Sequence, residues 1–227
     1  MAVNSNSLEL VCLLLESGAN FDAVGKSGRT PLHYAIDSYT DVGVAGMLVE
    51  QGCNVNFHHP HSDTPLNRLV LTYVNRRIPP DPIGPAMLLI QAGADMNLID
   101  NSGAPPILNA LRHPAGFGLF RALHQAGARL DVVDTDGNSI LHYVAEYGDK
   151  QHTEYLQELP LHQLNASIAN KQGSRPLDCL EMRMKGLGLI PCGSSEFIES
   201  GGASAILSLL NIIEEKWRTE KTEPTED

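Results

Sequence analysis

Histidine is the residue type in this 227-residue chain whose chemistry first suggests a site. The densest group is His58-His59-Pro60-His61, and imidazole nitrogens are common zinc ligands. A zinc site needs three or four ligands that converge at about 2 Å, and the one nearby thiol, Cys53, precedes this segment. We therefore expect solvated histidines at a hairpin tip, with no metal and no other cofactor.

Nucleophilic catalysis is the second chemical possibility, because Ser139, His142 and Asp149 occur close together in the chain. A hydrolase triad needs a serine, a histidine base and an acid that orients the histidine. Ser139 and His142 belong, however, to a motif that recurs along the chain, and no Gly-x-Ser-x-Gly, phosphate-loop or His-Glu-x-x-His motif is present. We expect no catalytic residues, and an enzyme with an unrecognised site is the most distant alternative.

Cysteine spacing, charge and hydropathy narrow the class of protein further. The four cysteines form no Cys-x-x-Cys pair, which favours reduced, buried thiols in an intracellular protein, cytoplasmic or nuclear (Cys12, Cys53, Cys179 and Cys192). A net charge of −11 disfavours nucleic-acid binding, which requires a basic surface. No apolar run reaches the roughly 18 residues that cross a bilayer. We expect a monomer that binds neither nucleic acid nor membrane.

Two short sequence motifs recur along the chain at matching intervals. The first is Thr30-Pro31-Leu32-His33, and its echoes begin at Thr64, Pro105, Ser139 and Arg175, with starts 34, 41, 34 and 36 residues apart. The second is a glycine after an apolar run, at Gly18, Gly52, Gly93 and Gly127, which lie 34, 41 and 34 apart. Both motifs show the same longer interval of 41 residues. One repeat is therefore longer than its neighbours by about seven residues.

The repeated unit resembles the ankyrin family, whose signature is Thr-Pro-Leu-His-x-Ala, most closely at 28–35. The resemblance implies an all-α solenoid, a stack of helix-turn-helix units joined by β-hairpin loops. It places about five to six repeats in residues 1–184, the first one partial. It also implies that the signature histidines, His33 and His142, brace adjacent hairpins by hydrogen bonds. Later units replace signature residues, with Pro105, Leu108, Ile140 and Arg175.

The local physics of the repeat agrees with helix pairs. Threonine or serine before the first helix can cap its free amides, and a proline in the first turn loses no hydrogen bond. The glycines at Gly18, Gly52, Gly93 and Gly127 suit the left-handed conformation that ends a helix. The two motifs therefore predict where the first helix of each repeat begins and where the second helix ends.

The insertion and the C-terminal region are read from proline, glycine and apolar patterns. Four prolines predict a loop at 73–85 in the third repeat, either a tolerated insertion or a binding loop. Residues 185–202 are predicted to be a loop, and 203–218 a helix with an apolar stripe formed by Ile206, Leu210, Ile213 and Trp217. That helix is predicted to cap the stack, with partner docking as the alternative. Residues 219–227 are predicted to be a disordered acidic tail.

The resemblance implies binding of another protein or a peptide in a concave groove, in a scaffold or adaptor role. The alternative is a regulatory or docking fragment of a larger multidomain protein. Arg112 and Tyr147 are the predicted anchors, because arginine and tyrosine dominate interface hot spots. Charge predicts a positive patch near the insertion and a negative one at the fifth repeat. The predicted contact residues are Lys26, Asp37, Ser38, Arg76, Arg77, Asn101, Arg112, His113, Asp136, Glu146 and Tyr147.

Overall fold

The computed structural model describes residues 8–37, 42–59, 63–75, 82–112, 116–160, 164–186 and 201–222. Within these ranges the chain forms helices and no named strand, with an isolated antiparallel bridge between Val133 and Ser139. The all-α fold is therefore confirmed. The helices are α1 (Leu8–Glu16), α2 (Pro31–Asp37), α3 (Gly43–Glu50), α4 (Pro65–Asn75), α5 (Ile83–Gln91), α6 (Pro106–Ala110), α7 (Phe117–Gln125), α8 (Ile140–Tyr147), α9 (Lys150–Gln157), α10 (Pro176–Gly186) and α11 (Gly201–Thr222).

The helices divide into two compact units, residues 1–110 with 118–128, and residues 111–117 with 129–227. In the first unit α2 packs against α3 and α4, α4 packs against α5 and α6, and α3 contacts both α1 and α5. In the second unit α8 packs against α10, and α11 contacts α8, α9 and α10. Helices α2 and α4 thus each contact the second helix of their own repeat and a first helix of a neighbouring repeat.

The helices begin and end at the residues that the two repeated motifs predict. Proline is the first residue of α2, α4, α6 and α10, where its missing N–H would have no helical partner. The four helix-ending glycines all have positive φ, from 79° at Gly18 to 103° at Gly127. At each one the following residue donates its N–H to a leucine carbonyl five residues earlier, as Ala19 does to Leu14 at 2.9 Å. The prediction of the helix ends is confirmed.

The hairpin turns are held by an Asp or Asn side chain, a feature that the sequence analysis missed. Oδ1 of Asp134 accepts hydrogen bonds from the N–H groups of Asp136 at 2.9 Å and Asn138 at 2.8 Å. Asp100 and Asn170 organise their own turns through the same pair of backbone contacts. Each turn then passes through a glycine with positive φ, at Gly103, Gly137 and Gly173. Asp or Asn three residues before a glycine is the local signal that could have identified these turns.

The signature histidines join one repeat to the next. Nδ1 of His33 accepts the Thr30 N–H at 3.2 Å, and its Nε2 lies 2.7 Å from the Asp63 carbonyl oxygen. Because a carbonyl oxygen only accepts, Nε2 carries the proton and the ring is neutral. His142 makes the same contacts with the Ser139 N–H and the Ser174 carbonyl. These contacts are the braces that the resemblance implies.

The insertion in the third repeat is shorter than predicted. The loop predicted at 73–85 was wrong at both ends, because α4 continues to Asn75 and α5 begins at Ile83. Pro82 immediately precedes α5 and Pro85 lies in its first turn, where a proline breaks no helical hydrogen bond. Residues 76–81, which include Arg76 and Arg77, lie outside the described residues.

The C-terminal helices are longer than predicted. Helix α10 extends to Gly186 and α11 spans Gly201–Thr222, so the predicted loop at 185–202 loses residues at both ends. The predicted tail at 219–227 was wrong over its first four residues, which continue α11, because Glu and Lys are good helix formers that need no core contact. The apolar side of α11 is buried, through Ile206, Leu209, Leu210 and Ile213. Its contacts with α9 and α10 place α11 where a second helix of the sixth repeat would lie.

Two glycines of the second repeat provide a matched test of these helix assignments. A Cβ added at Gly46 or at Gly52 would meet no atom within 4 Å, but Gly46 lies inside α3 whereas Gly52 has a φ of +82°. Gly46→Ala should raise the free energy of unfolding by about 1 kcal/mol, because alanine restricts the unfolded chain and favours the helix. Gly52→Ala should lower it by about 1 kcal/mol, because a Cβ is strained at that φ. Urea unfolding followed by circular dichroism measures both, and shifts of the same sign would contradict the assignment.

The neutral histidine braces predict a loss of stability in mild acid. Burial lowers the pKa of His33 and of His142 below the ordinary 6.5, although nearby carbonyl and carboxylate groups oppose the shift. The unfolded chain therefore binds more protons below about pH 6.5, and stability is lost as the pH falls through that value. The variant His33→Asn/His142→Asn should keep the bond to the next repeat, as Asn67 does with its 2.7 Å contact to the Leu98 carbonyl.

The melting temperature measured from pH 7.5 to 5.0 checks this prediction. The melting temperature of the asparagine variant should depend clearly less on pH than that of the wild type. Some pH dependence should remain, because burial also lowers the pKa of His124. Replacement of the exposed His58 by asparagine is the control and should leave the slope unchanged. Equal slopes in all three proteins would show that the braces do not titrate as described.

Candidate functional site

Two of the predicted contact residues of the second unit, Arg112 and Tyr147, lie beside Tyr143. The guanidinium carbon of Arg112 lies 5.7 Å from the centre of the Tyr143 ring, and Nη2 of Arg112 donates to the Tyr143 hydroxyl at 3.3 Å. That hydroxyl donates in turn to Oδ2 of Asp134 at 3.0 Å. The ring of Tyr147 lies 6.0 Å from that of Tyr143, and Glu146 is exposed beside it. We call these five residues the Tyr143 cluster.

Three elements position the Tyr143 cluster. Tyr143 and Tyr147 are four residues apart on α8, so their rings lie on one side of the helix. Asp134 belongs to the hairpin before α8 and is held there by the Asn138 amide, whose Nδ2 donates to Oδ2 at 2.9 Å. Arg112 follows α6, one repeat earlier. The cluster therefore forms only when consecutive repeats stack.

The C-terminal end of α8 is held by a half-buried arginine. Nη1 of Arg183 donates to the carbonyl oxygens of Ala145 at 3.2 Å and Gly148 at 3.1 Å, and burial lowers its pKa. A Cβ at Gly148 would approach the Val144 carbonyl oxygen to 2.5 Å, so the chain turns there without space for a side chain. A cation at a helix C-terminus also offsets its negative partial charge. The turn that carries Glu146 and Tyr147 is thus fixed before any partner binds.

The ionisable groups of the cluster have definite charges at neutral pH. Burial raises the pKa of Tyr143 to about 12. Burial, followed by the hydrogen bond to Glu146, raises the pKa of Tyr147 to about 12 as well. Burial opposes ionisation of Asp134, but its hydrogen bonds outweigh burial and lower the pKa. The cluster therefore presents neutral phenols between an arginine and carboxylates.

The structure places the other predicted residues of this unit as follows. Arg112, Asp136 and Glu146 are exposed. Tyr147 is half-buried, because its ring approaches that of Tyr143. His113 lies outside the described residues.

In the first unit the predicted residues do not form one cluster. Lys26 and Asn101 are exposed on hairpins. Asp37 instead binds within the chain, through Nη1 of Arg29 at 3.1 Å and Nε of Arg68 at 2.9 Å. The ion pair with Arg68 links α2 to α4, so Asp37 has a structural role that sequence spacing did not reveal. Ser38 lies outside the described residues.

The arrangement around His142 does not match a catalytic triad. Oγ of Ser139 lies 2.9 Å from Nδ1 of His142, but Nε2 of that ring faces the Ser174 carbonyl. Asp149 lies next to a different ring, with Oδ1 2.7 Å from Nδ1 of His152. The serine and the acid therefore contact separate histidines.

The described residues offer little support for a metal site or a reactive thiol. No group of three or more His, Cys, Asp or Glu residues there could hold a metal ion. Cys53 is buried, and burial raises its pKa to about 11. The expectation of buried thiols was wrong for Cys12, which is exposed. Searched over the same residues, no helix combines the length and apolarity needed to cross a membrane.

The fold defines a helical repeat protein, a class that typically serves as a binding scaffold rather than an enzyme. The family model for ankyrin repeats, in three copies, matches residues 1–73. An ankyrin repeat protein of Rickettsia bellii is 32% identical over 123 residues, which is 54% of this chain and 34% of the relative. The mouse B-cell lymphoma 3 protein homolog is 46% identical over 57 residues, 25% of this chain and 12% of that protein. The chain spans about a third or less of these relatives.

Solved structures show the same fold. An ankyrin repeat domain from Acinetobacter baumannii superposes with a TM-score of 0.72 at 21% identity, covering 94% of this chain and 96% of that one. A chain from a complex of a Bdellovibrio bacteriovorus predatory endopeptidase with an immunity protein gives 0.66 at 19% identity, covering 82% and 91%. With the repeat spacing, these findings show ankyrin repeats at residues 1–73 and the fold of an ankyrin repeat stack.

The phenol groups of the Tyr143 cluster can be observed directly. In an alkaline titration followed at 295 nm, Tyr143 and Tyr147 should ionise late, near pH 12. Tyr143→Phe/Tyr147→Phe should remove this late phase. Glu146→Gln should move one phenol to lower pH, because the Glu146 carboxylate disfavours the tyrosinate. A late phase that survives the double substitution would contradict the described burial.

Proposed function

We propose that this chain is a protein–protein interaction module whose second unit binds a partner protein or peptide at the Tyr143 cluster. The observation that carries the proposal is the contact of Arg112 with Tyr143, beside the half-buried Tyr147 and the exposed Glu146. Tyrosine and arginine are the residue types that most often dominate interface energies. The predicted anchors, Arg112 and Tyr147, both belong to this cluster.

Pre-organisation supports this assignment. The Arg112 guanidinium and the Tyr143 ring are already ordered by their mutual contact and by Asp134. A partner that binds there immobilises fewer side chains, and so loses less conformational entropy on association. The partner that fits presents a cationic group to Glu146 and an apolar or aromatic group to Tyr147.

The wider family supports the class of function. Ankyrin repeats are generally protein-binding modules, and one structure with this fold comes from a complex of an endopeptidase with an immunity protein. The length of the relatives favours a second candidate, a docking or regulatory segment of a longer multidomain protein. The cytoplasm or nucleus is the compartment that we propose. Contact through Arg76 and Arg77 is the rival proposal.

A paired substitution tests the Tyr143 cluster. Arg112→Ala/Glu146→Ala removes two exposed side chains and should change the melting temperature little. Affinity purification from the native cell, followed by mass spectrometry, should recover a partner protein with the wild type. The same purification with the variant should not recover that protein. Once that partner is purified, its affinity for the variant should be at least tenfold weaker, or about 1.4 kcal/mol.

The control substitutions are Lys26→Ala, on an exposed hairpin of the first unit, and Arg76→Ala/Arg77→Ala in the insertion. Both should bind the partner at wild-type strength. If the cluster variant is folded and binds fully while the Arg76/Arg77 variant fails, the insertion is the contact surface and our assignment to the Tyr143 cluster is wrong.

A further inference from the structure

The first unit contains a second contact between an arginine and a tyrosine, at Tyr34. Tyr34 occupies the same position in its repeat as Tyr143, directly after the signature histidine. The guanidinium carbon of Arg29 lies 5.9 Å from the centre of the Tyr34 ring. The Tyr34 hydroxyl forms a hydrogen bond of 2.9 Å with Oγ of Ser27, and the ring is half-buried. The first repeat therefore holds an aromatic ring against a guanidinium group, as the Tyr143 cluster does in the second unit.

Two arginines share one carboxylate next to this ring. Oδ2 of Asp37 accepts hydrogen bonds from Nη1 of Arg29 at 3.1 Å and from Nη2 of Arg68 at 3.2 Å. Nε of Arg68 donates to the other carboxylate oxygen at 2.9 Å. Because both guanidinium groups bind the same oxygen, they lie next to each other. We call Arg29, Tyr34, Asp37 and Arg68 the Asp37 cluster.

The Asp37 cluster has one positive charge in excess. Its two guanidinium groups stay protonated in a protein, and one carboxylate neutralises only one of them. The neighbouring His33 ring is neutral, because its Nε2 donates to the Asp63 carbonyl oxygen. The Asp63 carboxylate lies elsewhere, where Oδ1 accepts the Asn101 N–H of the next hairpin at 2.8 Å. This part of the first unit is therefore suited to an anionic group.

Each guanidinium group has donors that the bonds to Asp37 do not use. Arginine carries five N–H groups in a planar fork. Arg29 reaches Asp37 through Nη1 alone, and Arg68 uses Nε and Nη2. The two arginine side chains are 26% and 29% exposed, so part of each group is open to a ligand. A carboxylate can accept two parallel N–H bonds from such a group.

We propose that the Asp37 cluster binds a glutamate or aspartate side chain of a partner protein, in a segment that also presents an apolar residue to the Tyr34 ring. A single carboxylate matches the single excess charge. The net charge of −11 repels polyanions and so favours a ligand group with one negative charge. Asp37 holds both arginines in place before the partner binds, which lowers the entropy lost on association. The site lies in the first unit and does not depend on the Tyr143 cluster.

Short peptides test the site in the full chain. Three peptides of the same length, capped at both ends, carry Phe-Glu, Phe-Gln or Phe-phosphoserine at their centre. NMR spectra of the arginine Nε–Hε groups in isotope-labelled protein report on Arg29 and Arg68 directly. The Phe-Glu peptide should shift both signals in a saturable way. The Phe-Gln peptide should bind at least tenfold more weakly, because it has the same shape without the charge.

Single substitutions locate the binding and keep the ion pair between Asp37 and Arg68. Arg29→Gln removes the excess charge, so the Phe-Glu peptide, followed at the Arg68 signal, should bind at least tenfold more weakly. Arg29→Lys keeps the charge without the planar fork and should recover part of the affinity. Arg121→Gln removes an exposed arginine of the same unit, and this control should bind at wild-type strength. The melting temperature of each variant confirms that it is folded.

Several outcomes would overturn the proposal. Absence of any saturable shift, or equal binding of the Phe-Glu and Phe-Gln peptides, would show that the cluster does not recognise a carboxylate. Undiminished binding by the folded Arg29→Gln variant would place the contact elsewhere. A phosphoserine peptide that binds at least tenfold more tightly than the Phe-Glu peptide would make phosphate the ligand. Arg112→Ala/Glu146→Ala should bind the Phe-Glu peptide normally, and a loss there would assign the peptide to the Tyr143 cluster instead.

Discussion

No single repeat of this protein can bury both sides of its own helices, and the remaining structure depends on that constraint. Leu48 and Leu89 are fully buried because helices of their own and adjacent repeats lie against them, and Leu123 is fully buried as well. Leu14 has the same position in the repeat and is exposed. Burial of a leucine contributes on the order of 1.5–3 kcal/mol, so contacts between neighbouring elements supply most of the stabilisation.

Burial of apolar faces does not by itself set the distance and register between repeats, and buried polar groups supply that specificity. His33, Asn67 and His142 each place one donor on a carbonyl oxygen about 30 residues later. A buried donor without its acceptor would cost about 1–3 kcal/mol. A slipped arrangement would break these bonds, so the braces favour one packing of consecutive repeats over others of similar apolar area.

The Tyr143 cluster shows how the same stacking can create a binding surface. Arg112 comes from one repeat, while Asp134 and Tyr143 come from the next, and their contacts need both in place. The turn that carries Glu146 is held by Arg183 from a third. Residues that build the stack therefore also order the side chains that we propose as contacts, which links the stability of the second unit to its affinity.

The sequence by itself determined the repeat length, the all-α class, and the ends of most helices. These features follow from local backbone chemistry, since proline is tolerated in the first turn and glycine adopts the left-handed conformation after the last. Only the tertiary structure decided that Asp37 pairs with Arg68, that Tyr147 is half-buried and that Leu14 is exposed. Such properties depend on which residues, about 30 positions apart in the sequence, come into contact when the repeats stack. A repeat pattern specifies that helices stack, but not which variable side chains meet when they do.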